Sequence, residues 1–140
     1  MKKIAILIIT LLCCAFSNAQ KEASNWYFGD KAGISFNIDA DTVTAVSDGQ
    51  LSTEEGCTSI SDTNGNLLFY TDGRTAYNAN HNVMPNGNGL KGDASSTQSA
   101  IIIPKPNDPN IYYIFTVDSD SIDGSDFGFN FYEVNMTLDG

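Results

Sequence analysis

Cys57-Thr-Ser-Ile-Ser-Asp62-Thr-Asn-Gly65-Asn66-Leu67-Leu-Phe-Tyr-Thr-Asp72 is an apolar run, a turn cluster and a second apolar run. This is the pattern of a β-hairpin. Gly65 can take the positive φ of a tight turn, and Asp62 and Asn64 have short side chains that hydrogen-bond their own backbone. The pattern returns as Ser99-Ala-Ile-Ile-Ile103, the turn Pro104-Lys-Pro-Asn-Asp-Pro109-Asn, and Ile111-Tyr-Tyr-Ile-Phe-Thr-Val117. Laying Ile60 on Ile103 and Gly65 on Pro109 gives offsets of 43 and 44 residues, within the ~40–50 residue spacing of β-propeller blades.

Leu67 and Phe69 alternate with Leu68 and Tyr70, and Ile111, Tyr113 and Phe115 with Tyr112 and Ile114. Both faces of these strands carry large apolar side chains, so each needs cover on two sides. Radially packed blades supply it, whereas a sandwich sheet shows polar residues at every second position. The expected fold is all-β, a partial propeller of about two antiparallel blades plus lead-in strands.

Residues 1–19 read as a signal peptide. Lys2 and Lys3 precede an apolar stretch, Ile4 to Phe16, and Ser17-Asn18-Ala19 is a small-residue cleavage site before Gln20. The apolar stretch is short for a membrane span of about 20 residues, so no retained transmembrane helix is expected. A lipoprotein signal is the rival, because Cys13 and Cys14 lie in the apolar stretch, but neither follows a small residue. The mature domain is then 20–140, secreted or at the cell surface.

Cleavage leaves Cys57 as the sole cysteine, a packed thiol rather than half of a disulfide. It also makes the formal charge of −10 two units more negative. A chain so acidic, with few and scattered lysines, lacks the clustered cations that nucleic acid requires. Hydrophobic content of 41% and 12 glycines suit a turn-rich globular chain.

Asn25-Trp-Tyr-Phe-Gly29 and Gly33-Ile-Ser-Phe-Asn37 read as lead-in strands, with Trp26 as a core anchor. Residues 39–55 read as a polar connection, 75–84 as the third strand of the first blade, 86–89 as loop and 127–136 as the third strand of the second. Two blades and a lead-in do not close a ring. The remainder of the propeller is therefore expected in a longer parent protein.

Asn25-Trp-Tyr-Phe-Gly, Ala32-Gly-Ile-Ser-Phe-Asn37, Glu55-Gly-Cys-Thr-Ser-Ile-Ser-Asp62, Gly65-Asn-Leu-Leu-Phe-Tyr-Thr-Asp-Gly73, Asn80-His-Asn-Val-Met-Pro-Asn-Gly87 and Ser95-Ser-Thr-Gln-Ser99 carry a resemblance. Together they resemble the N-terminal region of large secreted proteins of gliding Bacteroidota. In those proteins a β-propeller comes first, often followed by repeat modules and a type B sorting domain for type IX secretion. The resemblance implies export by that route and attachment at the surface for the parent protein, with a role in adhesion or gliding motility. It carries no ligand residue across to this chain.

Asp118-Ser-Asp120-Ser-Ile-Asp123-Gly124-Ser-Asp126 is the densest oxygen cluster. Calcium takes 6–8 oxygens, so Asp118, Asp120, Asp123 and Asp126 are the candidate metal ligands, for a weakly held calcium. The spacing departs from the standard calcium loop, which would place the third acidic position at Ile122, and a solvated connection is the competing reading. No other cofactor is expected. Thr71 and Asp72 read as hydrogen bonders at a strand end. His81 is the sole histidine and reads as a turn residue, since no second histidine or cysteine accompanies it for a zinc site or a hydrolase triad.

The expected function is a non-catalytic binding or adhesion module with an extracellular glycan or protein ligand. The alternative is a glycan-active propeller enzyme with its catalytic acids partly elsewhere in the parent, since paired carboxylates are not recognisable from spacing alone.

Overall fold

The computed structural model describes residues 21–119 and 127–138. Ten strands in this part form three antiparallel sheets, none of them closed. The first sheet holds β1 (Asn25–Phe28), β2 (Ala32–Asn37) and β3 (Thr42–Val46). The second holds β4 (Thr58–Ser61), β5 (Leu67–Thr71), β6 (Thr75–Asn78) and β7 (Val83–Asn88). The third holds β8 (Ala100–Pro104), β9 (Ile111–Val117) and β10 (Phe129–Asn135). Each sheet is a meander in which strands pair with their chain neighbours, and among the described residues helix is limited to single 3-10 turns at Lys21–Ala23 and Met136–Leu138. The all-β class stands.

Hairpins form where the turn chemistry places them. Between β4 and β5, Asp62 Oδ1 accepts the backbone N–H groups of Asn64 (2.8 Å) and Asn66 (2.9 Å), and Oδ2 accepts the Asn66 side-chain amide. Gly65 takes a φ of 91° there. The bonds from Asn66 and Asn64 hold the Asp62 carboxyl below the usual carboxylate range. The β8–β9 turn uses Asn107 at a φ of 63°. Pro104, expected in that turn, is instead the last residue of β8, an edge strand, where a missing N–H is tolerated.

Four further expectations need correction. The lead-in strands are a sheet in their own right, because Thr42-Val-Thr-Ala-Val46, inside the supposed polar connection, pairs with β2. Residues 75–84 are not one strand: the chain reverses at Asn78–Asn82, where Asn78 Oδ1 accepts the N–H groups of Asn80 and Asn82. A fourth strand, β7, then runs to Asn88 through the segment read as loop. Trp26 is not a core anchor. It is 50% exposed, because strand alternation turns Tyr27 inward and leaves Trp26 against the edge of Phe36, with centroids 5.3 Å apart.

The middle sheet is covered on both faces. Phe69 (0% exposed) faces the third sheet, within a cluster containing Ile60, Met84, Leu90, Tyr112, Ile114 and Val134. Tyr70 (0% exposed) faces the first, beside Tyr27 and Leu51. Adjacent positions on β5 therefore serve two cores, and truncating a phenylalanine in such a place typically costs about 3–5 kcal/mol. The leading strands of the sheets are neighbours, β1 beside β4 and β4 beside β8. The β1–β4 seam is stitched by the Asn25 side-chain amide, which donates to Ser61 Oγ (3.0 Å) and to the carbonyl of Gly65 (2.9 Å), and by Ser59 Oγ, which donates to the Asn25 carbonyl (2.6 Å).

Behind these seams, three loops meet around Ser99, which is fully buried. Its hydroxyl donates to the Asp72 carbonyl (2.7 Å) and accepts the Asp93 N–H (3.1 Å). Gly56, Gly73 and Gly92 surround it, and a Cβ on any of the three would collide with it. The glycines thus let three backbones close on one residue, Gly73 and Gly92 on its hydroxyl and Gly56 on its backbone N–H.

The third sheet has an uncovered side. Among the described residues nothing packs on the face carrying Tyr113, Phe115, Phe129 and Phe131, and Phe129 and Phe131 are 68% and 64% exposed. Phe115 stacks on Phe129 at 5.5 Å and contacts Phe131 at 6.2 Å. With Ile101 and Ile103, exposed on the same face, this is an exposed apolar surface of the kind that marks interaction sites. The expectation of two-sided burial therefore holds for β5 and only half holds for β9. The chain is expected to self-associate as its concentration rises, and the double variant Phe129→Ser, Phe131→Ser to sediment as a monomer at a cost of only about 0.5 kcal/mol per site. Identical sedimentation of the two proteins would show that the face is not adhesive.

Candidate binding cleft

The turn from β5 to β6, Thr71-Asp72-Gly73-Arg74-Thr75, fixes the only arginine of the chain. Asp72 is buried. Its Oδ1 accepts the N–H groups of Arg74 and Thr75, both at 2.8 Å, and its Oδ2 accepts Nε (3.3 Å) and Nη2 (3.1 Å) of the Arg74 guanidinium. Thr71 Oγ1 accepts the Gly73 N–H and donates to the Thr75 carbonyl. Thr71 and Asp72 are thus the strand-end hydrogen bonders their position suggests. Nη2 also donates to the carbonyl of Ser52 (3.1 Å), which ties the 47–57 connection to the turn. The guanidinium is held in one orientation and charge-neutralised on one edge, on a side chain that is 44% exposed.

Beside it stands a column of three rings. Tyr27 stacks on Tyr70 with centroids 4.6 Å apart, and Tyr70 on Tyr77 at 5.4 Å. The Gln50 N–H donates to Tyr70 Oη (3.1 Å), which leaves the phenol proton for His81 Nδ1, also at 3.1 Å. The His81 ring proton is then on Nε2, 3.4 Å from Asp48 Oδ2, while Tyr27 Oη donates to Asp48 Oδ1 at 3.1 Å. Burial, followed by the bond to the Asp48 carboxylate, pushes the Tyr27 phenol up to about 12. Burial, helped by the neighbouring Tyr77 and Asp48, outweighs the Gln50 bond and pushes Tyr70 to about 12 as well. His81 sits in a turn as expected, at a φ of 62°. Its ring, however, links two tyrosines and an aspartate, a role no sequence spacing announces.

Between the 47–57 connection and the β6–β7 hairpin lies an open cleft of about 470 Å³, lined by Gln50, Ser52, Arg74, Thr75, Tyr77 and Asn88 among others. Its walls are mostly polar. The Gln50 amide donates to the Asp48 carbonyl and Asn88 Oδ1 accepts from Thr75 Oγ1 (3.3 Å), so both amides are oriented, with Oε1 of one and Nδ2 of the other left for a ligand. None of these residues stood out in the sequence. The one available signal was the solitary arginine in a strand-turn-strand context, and its burial partner lies only two residues away.

Of the four acidic candidates, Asp118 is placed at the end of β9, where its two oxygens accept the backbone N–H groups of Ser119 and Phe127, both at 2.9 Å. Asp120, Asp123 and Asp126 lie outside the described residues, as does the leader. Among the described residues no group of three or more His, Cys, Asp or Glu is arranged to hold a metal ion, and no helix is long and apolar enough to cross a membrane. Cys57 is a free, half-buried thiol against the Tyr27–Tyr70 cluster, and burial raises its pKa, which disfavours the reactive thiolate. No protein-family model, curated protein or solved structure matches the chain.

Proposed function

We propose that this chain is part of an extracellular, non-catalytic binding or adhesion module, built as consecutive blades of a β-propeller, that presents a polar cleft to its ligand. The observation that carries the binding role is the cleft itself, where a buried carboxylate and a backbone carbonyl hold the sole arginine with one edge turned outward. Preorganisation of this kind removes ordering costs that a flexible site would incur on binding.

The propeller reading is supported by three features acting together: each sheet is a meander, leading strands adjoin, and the middle sheet is packed face to face on both sides. The uncovered aromatic side of the third sheet is where the next blade of the parent protein would sit, continuing the packing that Phe69 makes on Tyr112 at 5.6 Å. The resemblance to N-terminal regions of secreted Bacteroidota proteins extends the reading to export through the type IX route and display at the cell surface. A binding rather than catalytic role fits the state of Asp72, the carboxylate lining the cleft, whose two oxygens are both turned to fixed donors of its own turn.

Latex beads coated with the protein should be retained on surfaces bearing extracellular polysaccharide or glycoprotein, well above beads coated with the urea-unfolded chain. Equal retention of the two would remove the binding role.

A further inference from the structure

The cleft has a chemistry narrow enough to name a ligand class. Arg74 directs Nε and Nη2 at Asp72 and Ser52, and among the described residues the two N–H groups of Nη1 have no acceptor. Asn88 Nδ2 adds a donor, and Gln50 Oε1 adds an acceptor on the opposite wall. The site thus offers both donors and acceptors, with no net charge, because Asp72 neutralises the guanidinium. An anionic ligand finds no uncompensated cation here and meets a chain of formal charge −10. A peptide anchored by apolar side chains finds walls that are mostly polar. A neutral polyol fits, since every hydroxyl both donates and accepts, and the half-buried ring of Tyr77, backed by the Tyr70–Tyr27 stack, offers a rigid apolar surface for the C–H face of a sugar ring. The volume of about 470 Å³ lies in the range of small-molecule sites, roughly 300–1,000 Å³.

We propose that this cleft is a carbohydrate-binding site for uncharged hexose units, with Arg74, Asn88, Gln50 and Tyr77 as its contact residues. The assignment rests on the binding reading above and names the ligand class for the same cleft.

Titration calorimetry with four neutral hexamers, built respectively from glucose, galactose, mannose and N-acetylglucosamine, provides the test, with a galacturonate hexamer as the charged comparison. At least one neutral hexamer should bind. Asn88→Ala, a change on the exposed edge strand, should weaken it roughly tenfold at unchanged melting temperature, and Tyr77→Phe should leave it nearly intact because the ring face is kept. Arg74→Lys should weaken it at least as much as Asn88→Ala, since an ammonium cannot reproduce the fixed fork. Tighter binding of galacturonate, affinity indifferent to both Asn88 and Arg74, or no heat with any neutral hexamer at about 10 mM would each overturn the assignment. Retention of coated beads separates the two ideas: beads that still adhere when no hexamer binds, or when Arg74 and Asn88 are replaced, leave the binding role standing and remove the cleft as its seat.

Discussion

Gly73→Ala is expected to unfold the chain or to lower its stability by several kcal/mol. Two independent costs coincide at this position. Gly73 has a φ of 85°, a conformation that costs an L-residue roughly 1–2 kcal/mol. A Cβ would also run into the hydroxyl of Ser99 and lie 2.9 Å from the Ser99 carbonyl oxygen. Ser99 cannot step aside, because its hydroxyl is bonded to the Asp72 carbonyl on one side and the Asp93 N–H on the other. Backbone on both sides of the clash must therefore move, and with it the Asp72–Arg74 turn. Gly92→Ala meets the same hydroxyl at 2.5 Å and the Gly73 carbonyl at 2.7 Å, and is expected to behave alike. Gly89→Ala is the control. It has a φ of 79° but nothing within 4 Å of its Cβ, so only the same backbone cost of roughly 1–2 kcal/mol applies. Urea midpoints for Gly73→Ala and Gly89→Ala that agree would mean that Ser99 is not enclosed as described.

The second large effect is alkaline unfolding. Tyr27 and Tyr70 have phenols raised from 10.0 to about 12 in the folded protein, so folding favours their neutral forms. The stability this represents is complete below pH 10, the unfolded value, and is lost as pH climbs through about 12. Two shifts of about two units correspond to some 5 kcal/mol at most, comparable with the whole stability of a small domain. The urea midpoint should hold steady, as far as tyrosine is concerned, up to about pH 9.5 and then fall steeply. Tyr70→Phe should start lower, since the Gln50 N–H and His81 lose a partner, yet decline more gently above pH 10 because one titrating group is gone. Absorbance near 295 nm offers the decisive reading. If all six tyrosines ionise near pH 10 while circular dichroism stays native, the column of rings is not shielded from water.

Legibility in the sequence followed the source of each feature. Hairpins 58–71 and 100–117 could be read because their turns are local, and Asp62, Gly65 and Asn107 act on backbone a few residues away. β7 could not, because Val83-Met-Pro-Asn-Gly-Asn88 contains the residues that ordinarily interrupt a strand. It survives at the outer edge of its sheet, where a proline N–H is not required. β3 was hidden by averaging: five residues of good strand propensity sit between polar neighbours, and only pairing with β2 singles them out. For Trp26 the triplet Trp-Tyr-Phe leaves open which parity points inward, and partners elsewhere decide it. The cleft was the least readable part. Gln50, Arg74, Tyr77 and Asn88 converge from separate connections and strands, so no spacing rule ties them together. His81 likewise gains its partners Asp48 and Tyr70 only through tertiary structure.

The meander connectivity has a kinetic side. Because each strand hydrogen-bonds only the strands next to it in the chain, the loops that must close are short and their entropic cost is small. A sheet can zip up as soon as its last strand is available, without waiting for residues far along the chain. Folding then proceeds by accretion: each finished sheet is the template on which the next one condenses. During vectorial delivery of the polypeptide, Tyr70 finds its cover already delivered, and the interval in which Phe69 stands bare is set by the speed at which the third sheet follows. Such a chain limits the time it spends in aggregation-prone states while it is still incomplete.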